Sequence, residues 1–195
     1  MGTTTDSPRR QQVPEGGGDI AISQQPTSRA HASQATTMRA ITQDRYGSAD
    51  VLELREVAKP QAGDDDVLVR VRAASLHIGD WHLMTGLPYL MRIMGLGFRA
   101  PKARVRGMDV AGTVEAVGQN VTQFRAGDEV FGTVAGAFAE YARARADTLA
   151  PKPANLTFEQ AAAVPTSACT ALQALRDAGG VRSGQRVLII GASGG

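Results

Sequence analysis

Cysteine occurs once, at Cys169, so neither a disulfide framework nor a multi-cysteine zinc site can form within one chain. A chain with one thiol and no apolar secretory core is expected in a reducing compartment, here the cytoplasm. Long apolar runs are missing too. No stretch approaches the roughly 18 apolar residues that a membrane-spanning helix needs. Charge of one sign is also scarce. Lysine and arginine number 21 against 19 acidic residues, and a net charge of +2 is no footprint of a nucleic-acid binder. Order itself is lacking at the start. Residues 1–37 are rich in Thr, Ser, Gln, Gly and Pro and hold few apolar side chains, so a disordered tail is expected there. Arg9, Arg10 and Arg29 balance Asp6, Glu15 and Asp19, and the Gly16–Gly18 triplet argues against an amphipathic import helix.

From Met38 onward the pattern is that of short strands and glycine turns. Met38–Thr42 and Leu52–Val57 flank a turn at Gly47–Asp50. Val67, Val69, Val71 and Ala73 alternate with Leu68, Arg70 and Arg72, the period of a half-buried strand. Val110–Val117, Glu129–Thr133 and Phe138–Ala142 continue the series, which predicts a small antiparallel barrel or sandwich. After Pro153 the texture changes. Asn155 or Thr157 can cap a helix that Pro165 interrupts, and Ser167–Asp177 predicts a second helix before Gly179 and Gly180. Then Val187–Ile190 forms a continuous apolar run, expected as a buried parallel strand, and Gly191–Gly195 follows at once. A strand entering glycines is the start of a phosphate-cradling turn, because absent side chains let backbone approach a pyrophosphate.

The order of these motifs resembles the medium-chain dehydrogenase/reductase superfamily, in its zinc-independent quinone oxidoreductase branch. The stretches that carry the resemblance are MRAITQDRYGSADVLEL, VLVRVRAASLHIGDWHLMTG, GMDVAGTVEAVG, FRAGDEVFG, GAFAEYA, LAPKP, AAAVPTSACTALQAL and VRSGQRVLIIGASGG. Each is weak alone. The resemblance implies a β-rich GroES-like barrel over 38–154, then the first helices and first strand of an α/β Rossmann domain over 155–195, broken off within its fingerprint. It implies an NADP- or NAD-dependent oxidoreductase that passes hydride to a quinone, enone or other conjugated carbonyl. On this reading the chain is a fragment, inactive alone. A non-catalytic GroES-like binding or assembly module is the alternative, and a zinc alcohol dehydrogenase is the disfavoured third.

Zinc-dependent members hold their metal with two cysteines and a histidine. At the matching places this chain has His77, Met108 and Thr166, and a thioether and a hydroxyl are poor zinc ligands. No metal is expected. The resemblance places His77 and Asp80 as catalytic candidates. His77 is a hydrogen-bond donor to a substrate carbonyl or merely fixes its loop; Asp80 orients neighbouring groups or acts as an acid. Trp81, His82 and Asp109 are assigned to the substrate pocket, with packing the alternative for Trp81 and a turn carboxylate for Asp109. Ile78, Gly79, Thr170, Ala192, Ser193, Gly194 and Gly195 are assigned to the cofactor. For Thr170 a hydrogen bond to its own helix backbone is the competing role. Cys169 beside it is expected to be a small buried apolar residue. The segment Leu87–Arg106 predicts a short amphipathic helix with a basic face, either a wall of the cleft or a solvated surface turn. No nucleic-acid partner and no membrane span are expected, and a homo-oligomer is allowed.

Overall fold

The computed structural model describes residues 36–191. Five strands form one antiparallel sheet and two form a hairpin beside it. The hairpin is β1 (Thr37–Gln43) and β2 (Leu52–Ala58). The sheet comprises β3 (Asp66–Ser75), β4 (Asp109–Val117), β5 (Glu129–Thr133), β6 (Tyr141–Arg145) and β7 (Leu149–Pro151), in the order β6-β3-β4-β5-β7. This is the β-rich unit that the strand spacing predicts. The hairpin is bound to the sheet through bridges Ala40–Ala139 and Thr42–Val105. An Arg39–Glu140 pair and Lys59, which meets Glu115 and lies over the Tyr141 ring, add exposed or half-exposed polar contacts of small individual worth.

Strand β3 is apolar on both faces for its first half. Val67, Leu68 and Val69 are all buried, and alternation holds only from Arg70 onward. The reason is packing on both sides. Val67 and Val69 meet Val114, Val121, Phe124, Val130 and Ala146 in one cluster. Central strand β4 pairs with β3 and β5, and Gly112 within it lies so close to the Arg70 carbonyl that no Cβ fits there. The predicted strand Phe138–Ala142 is found three residues later, as Tyr141–Arg145. Phe138 and Glu140 instead bond to β1, through Ile41 N–H to the Phe138 carbonyl at 2.8 Å and Glu140 N–H to the Arg39 carbonyl at 3.1 Å. Strand β7 was not expected; its Pro151 is tolerated because β7 is the sheet edge.

Helix α1 (Ile78–Thr85) follows β3 and ends at Gly86, whose φ of 66° supplies the left-handed cap. The buried Gln43 amide donates to the Met84 carbonyl at 2.6 Å and ties the end of α1 to β1. Helix α2 (Phe158–Ala162) opens on a capping box between Thr157 and Gln160, and Ala161 and Ala162 pack on Ala111 of β4. Pro165 does not interrupt a helix but starts α3 (Pro165–Leu172), since its fixed φ suits the first helical position. A π-type segment, Gln173–Ala178, continues it. Between Leu87 and Arg106 the predicted helix reduces to one π-type turn, Arg92–Leu96, and Leu90, Ile93, Met94 and Phe98 are exposed. Arg92 explains its position: the guanidinium donates to the Thr85 and Gly86 carbonyls and stacks between Tyr46 and Tyr89.

Two expectations near the end differ. Val187–Ile190 forms no strand and is exposed, because no strand among the described residues lies beside it to complete a ladder. Cys169 is exposed rather than buried, since α3 packs through other residues of its face. The expected tail falls outside the described residues except for Thr36 and Thr37, which belong to the start of β1 and its pairing.

Gly112→Ala tests the sheet account. The added methyl must displace backbone of β3, and overpacking of this kind costs about 2 kcal/mol. The urea unfolding midpoint is expected to fall, with the slope unchanged.

Candidate active site

The site is built where β3 ends. Ser75 closes the strand, and two residues on His77 caps α1 with extended backbone, φ −137° and ψ 172°. Its ring Nδ1 accepts the Gly79 N–H at 2.9 Å, while the His77 N–H donates to Asp80 Oδ2 at 3.1 Å. This is a capping box with histidine in the usual Ser or Thr place. The bond fixes the tautomer. With Nδ1 accepting, a neutral ring carries its proton on Nε2. That Nε2 lies 3.6 Å from Asp80 Oδ2, too far for a good hydrogen bond, and has no partner among the described residues. Asp80 Oδ1 is also without a partner, although both side chains are almost wholly buried.

A cavity of about 260 Å³ opens beside this pair. Leu52, Leu76, Trp81, Met84 and Phe138 give it apolar walls, and His77, Asp80 and Arg106 supply the polar groups. Arg106 is 6% exposed. One Nη donates to the Ala103 carbonyl, and Nε has no partner among the described residues. A second cavity of about 280 Å³, reaching from Tyr46 to Gly136, shares Arg106 as its wall. Burial pushes the Asp80 carboxyl above the usual carboxylate range; the Asp109 charge adds to this, and the His77 N–H and the His77 and Arg106 charges oppose it. Burial likewise pulls the Arg106 guanidinium below its ordinary value, against Tyr46 and Asp80.

Asp109 does other work. It is 1% exposed, and its oxygens accept the Thr166 hydroxyl at 2.7 Å and the Thr166 N–H at 3.0 Å. It fastens α3 to β4 and does not line the cavity beside α1. The Thr166 hydroxyl is thereby engaged, and His77 Nδ1 is held by backbone. Together with a thioether at Met108, this donor set does not fit zinc. Among the described residues no group of three or more His, Cys, Asp or Glu side chains is placed to hold a metal ion.

The remaining candidates divide. Trp81 lines the cavity, half-exposed, with its ring 5.1 Å from that of His82. His82 itself points to the following loop, where Nδ1 meets the Leu87 carbonyl at 2.7 Å. Ile78 is exposed, and Gly79 gives its N–H to the His77 cap. A Cβ at Gly79 would strike the His77 ring, so glycine is what lets that cap form. Thr170 donates to the Thr166 carbonyl at 2.7 Å, the backbone role weighed for it. Ala192, Ser193, Gly194 and Gly195 lie outside the described residues. Arg106, Leu52, Met84 and Phe138 were not singled out for the pocket from sequence. None of them gave a signal of its own, and Arg106 stands among Arg99, Lys102 and Arg104 in the sequence.

Residues 63–154 match the family model described as the alcohol dehydrogenase GroES-like domain. The chain is similar to the zinc-independent quinone oxidoreductases of the medium-chain dehydrogenase/reductase superfamily. It is 38% identical over 161 residues to the quinone oxidoreductase of Sus scrofa, covering 81% of this chain and 46% of that one. It is 35% identical over 190 residues to 2-methylene-furan-3-one reductase of Solanum lycopersicum, at 87% and 46%. Among solved structures, the quinone oxidoreductase from Coxiella burnetii superposes with a TM-score of 0.67 at 31% identity, over 76% of this chain and 47% of that one. The Escherichia coli quinone oxidoreductase complexed with NADPH gives 0.61 at 27% identity, over 72% and 41%. The chain thus spans about half the length of the relatives that it matches.

Asp80→Asn tests the electrostatics. A carboxyl whose pKa is raised on folding contributes most below its unfolded pKa, about 3.9, and that contribution is lost as pH rises through the folded value. The Asn variant keeps the acceptor for the His77 N–H without the buried charge. Its stability relative to wild type is expected to rise with pH across that window and then level off, read from chemical denaturation at a series of pH values.

Proposed function

We propose that this chain forms the acceptor-binding half of a zinc-independent NADPH-dependent reductase acting on quinones or conjugated carbonyls. The observation that carries this reading is the apolar cavity beside α1, into which a donor on His77 and an acceptor on Asp80 are built without partners of their own. Two similar proteins, a quinone oxidoreductase and a 2-methylene-furan-3-one reductase, are both named for conjugated carbonyl substrates.

The residues present fit a nicotinamide in one respect. Asp80 Oδ1, a buried acceptor without a donor, suits the N–H of a carboxamide. When bound, the nicotinamide supplies the hydride. The chain's own groups orient and desolvate. His77 Nε2–H donates to the carbonyl oxygen of the acceptor, with its tautomer fixed by the Gly79 N–H. Trp81, Met84, Leu52 and Phe138 exclude water from the reacting face. The reaction needs no zinc, because conjugation makes the acceptor electrophilic and the donor set at His77, Met108 and Thr166 does not suit the metal. The phosphates fall to the glycine-rich stretch Ala192–Gly195.

The exposed Val187–Ile190 run leads us to infer that the 195-residue chain turns over little alone. No helix among the described residues is long and apolar enough to cross a membrane.

Trp81, the sole tryptophan, reports on the cavity directly. Titration with 1,4-naphthoquinone is expected to quench its fluorescence saturably, while NADPH consumption in the same cuvette stays near background. Unsaturable quenching, as from collision in solution, would remove the acceptor-site reading. Brisk NADPH consumption would remove only the inference of inactivity.

A further inference from the structure

Arg106 is a buried cation without an anion. The residue is 6% exposed, and among the described residues only the Ala103 carbonyl receives a hydrogen bond from its guanidinium. The Asp80 carboxyl shares its cavity but makes no ion pair with it, and Nε is left free. Burying a charge this way is costly unless something completes it, and a guanidinium keeps its proton where a lysine would shed it. The apolar lining of Leu52, Leu76, Trp81, Met84 and Phe138 strengthens whatever charge contact the cavity makes.

Resting on the reductase reading, we propose that Arg106 binds and stabilises the oxyanion that forms on the acceptor, which makes it a catalytic residue of the cavity beside α1. The chemistry requires such a group. Hydride arriving at the β-carbon of a conjugated carbonyl forms a C–H bond. The C=C pair shifts to the neighbouring C–C bond, and the C=O π pair moves to oxygen, leaving an enolate. The two electrons come from a reduced nicotinamide, and the proton that completes the product comes from water. His77 Nε2–H offers that oxygen a neutral donor. Arg106 offers full positive charge, which favours the anion over the uncharged carbonyl and so acts on the transition state more than on the ground state. Without zinc, this is the one cation that the described residues bring to the cavity. The preferred ligand is therefore a planar conjugated oxyanion, and not a simple alcohol.

The test uses 4-nitrophenol, whose phenolate absorbs visibly and imitates a quinol monoanion. The whole chain is titrated with it across the probe's own ionisation. The wild type is expected to favour phenolate over phenol at least about tenfold, seen as a fall of about one unit in the bound probe's pKa. Arg106→Met should abolish that preference and Arg106→Lys restore part of it. A structural arginine would unfold the chain when replaced. An oxyanion-binding arginine leaves the melting temperature of Arg106→Met equal or higher, because an uncompensated buried charge has been exchanged for an apolar side chain. Asp80→Asn, which removes the competing carboxylate, should tighten phenolate binding. A wild type that binds no phenolate, or an Arg106→Met variant that binds it as well as the wild type, overturns the proposal. If Arg106→Met keeps the phenolate binding of the wild type while naphthoquinone still quenches Trp81 saturably in both, Arg106 falls and the reductase reading stands. Absence of that quenching in the wild type would instead remove the reductase reading.

Discussion

One buried carboxylate holds the parts of this molecule in place. Asp109 begins β4, opposite Ser75 at the end of β3 and Thr133 at the end of β5. It accepts two hydrogen bonds from Thr166 at the start of α3. Bonds to a charged acceptor of this kind each contribute about 1.5–3 kcal/mol, more than the exposed ion pairs elsewhere on the surface. The same carboxylate thus fixes the strand end that launches His77 and the helix that leaves the sheet. His77, Met108 and Thr166 stand where the resemblance puts the ligands of zinc-dependent enzymes. Here Thr166 spends its hydroxyl on Asp109, and the join is made by hydrogen bonds.

The cavity beside α1 holds two charged groups. Asp80 and Arg106 are buried in one apolar pocket without pairing directly, and burial shifts both away from their charged forms. Stability alone does not account for that arrangement, since apolar residues of similar volume would serve a core better. It is intelligible as pre-organisation. A donor, an acceptor and a cation are held by backbone caps and by neighbouring carbonyls, and each has one valence left for a ligand.

Much of this was legible in the chain, and what was not has physical causes. Strand period and glycine turns located β1 to β5, because sheet burial imposes alternation. The Tyr141–Arg145 strand was misplaced by three residues since Phe138 is drawn to β1 by a contact distant in sequence. A cap at Asn155 or Thr157 announced α2, and the structure selects Thr157, whereas Pro165 is ambiguous in sequence, being able to break a helix or begin one. His77 and Asp80 were visible as a pair; that the histidine caps α1 was not, because the bond depends on Gly79 lacking a side chain. Asp109 was visible too, but its partner lies 57 positions away. Arg106 could not be told from the basic residues around it, as only tertiary packing decides that Arg104 stays in water and Arg106 does not. The apolar run at Val187–Ile190 shows the converse: pattern gives a strand's preference, and only a neighbour gives the strand.

The central claim is that ligand binds where His77 and Arg106 present their free N–H groups. Nitrogen-15 spectra of the whole chain, labelled in histidine and arginine, test it during titration with naphthoquinone. The account predicts that the His77 Nε2–H and Arg106 Nε–H resonances move together and saturate, while those of His82 and Arg104 stay still. Saturable shifts confined to other residues, with these two unmoved, would contradict it.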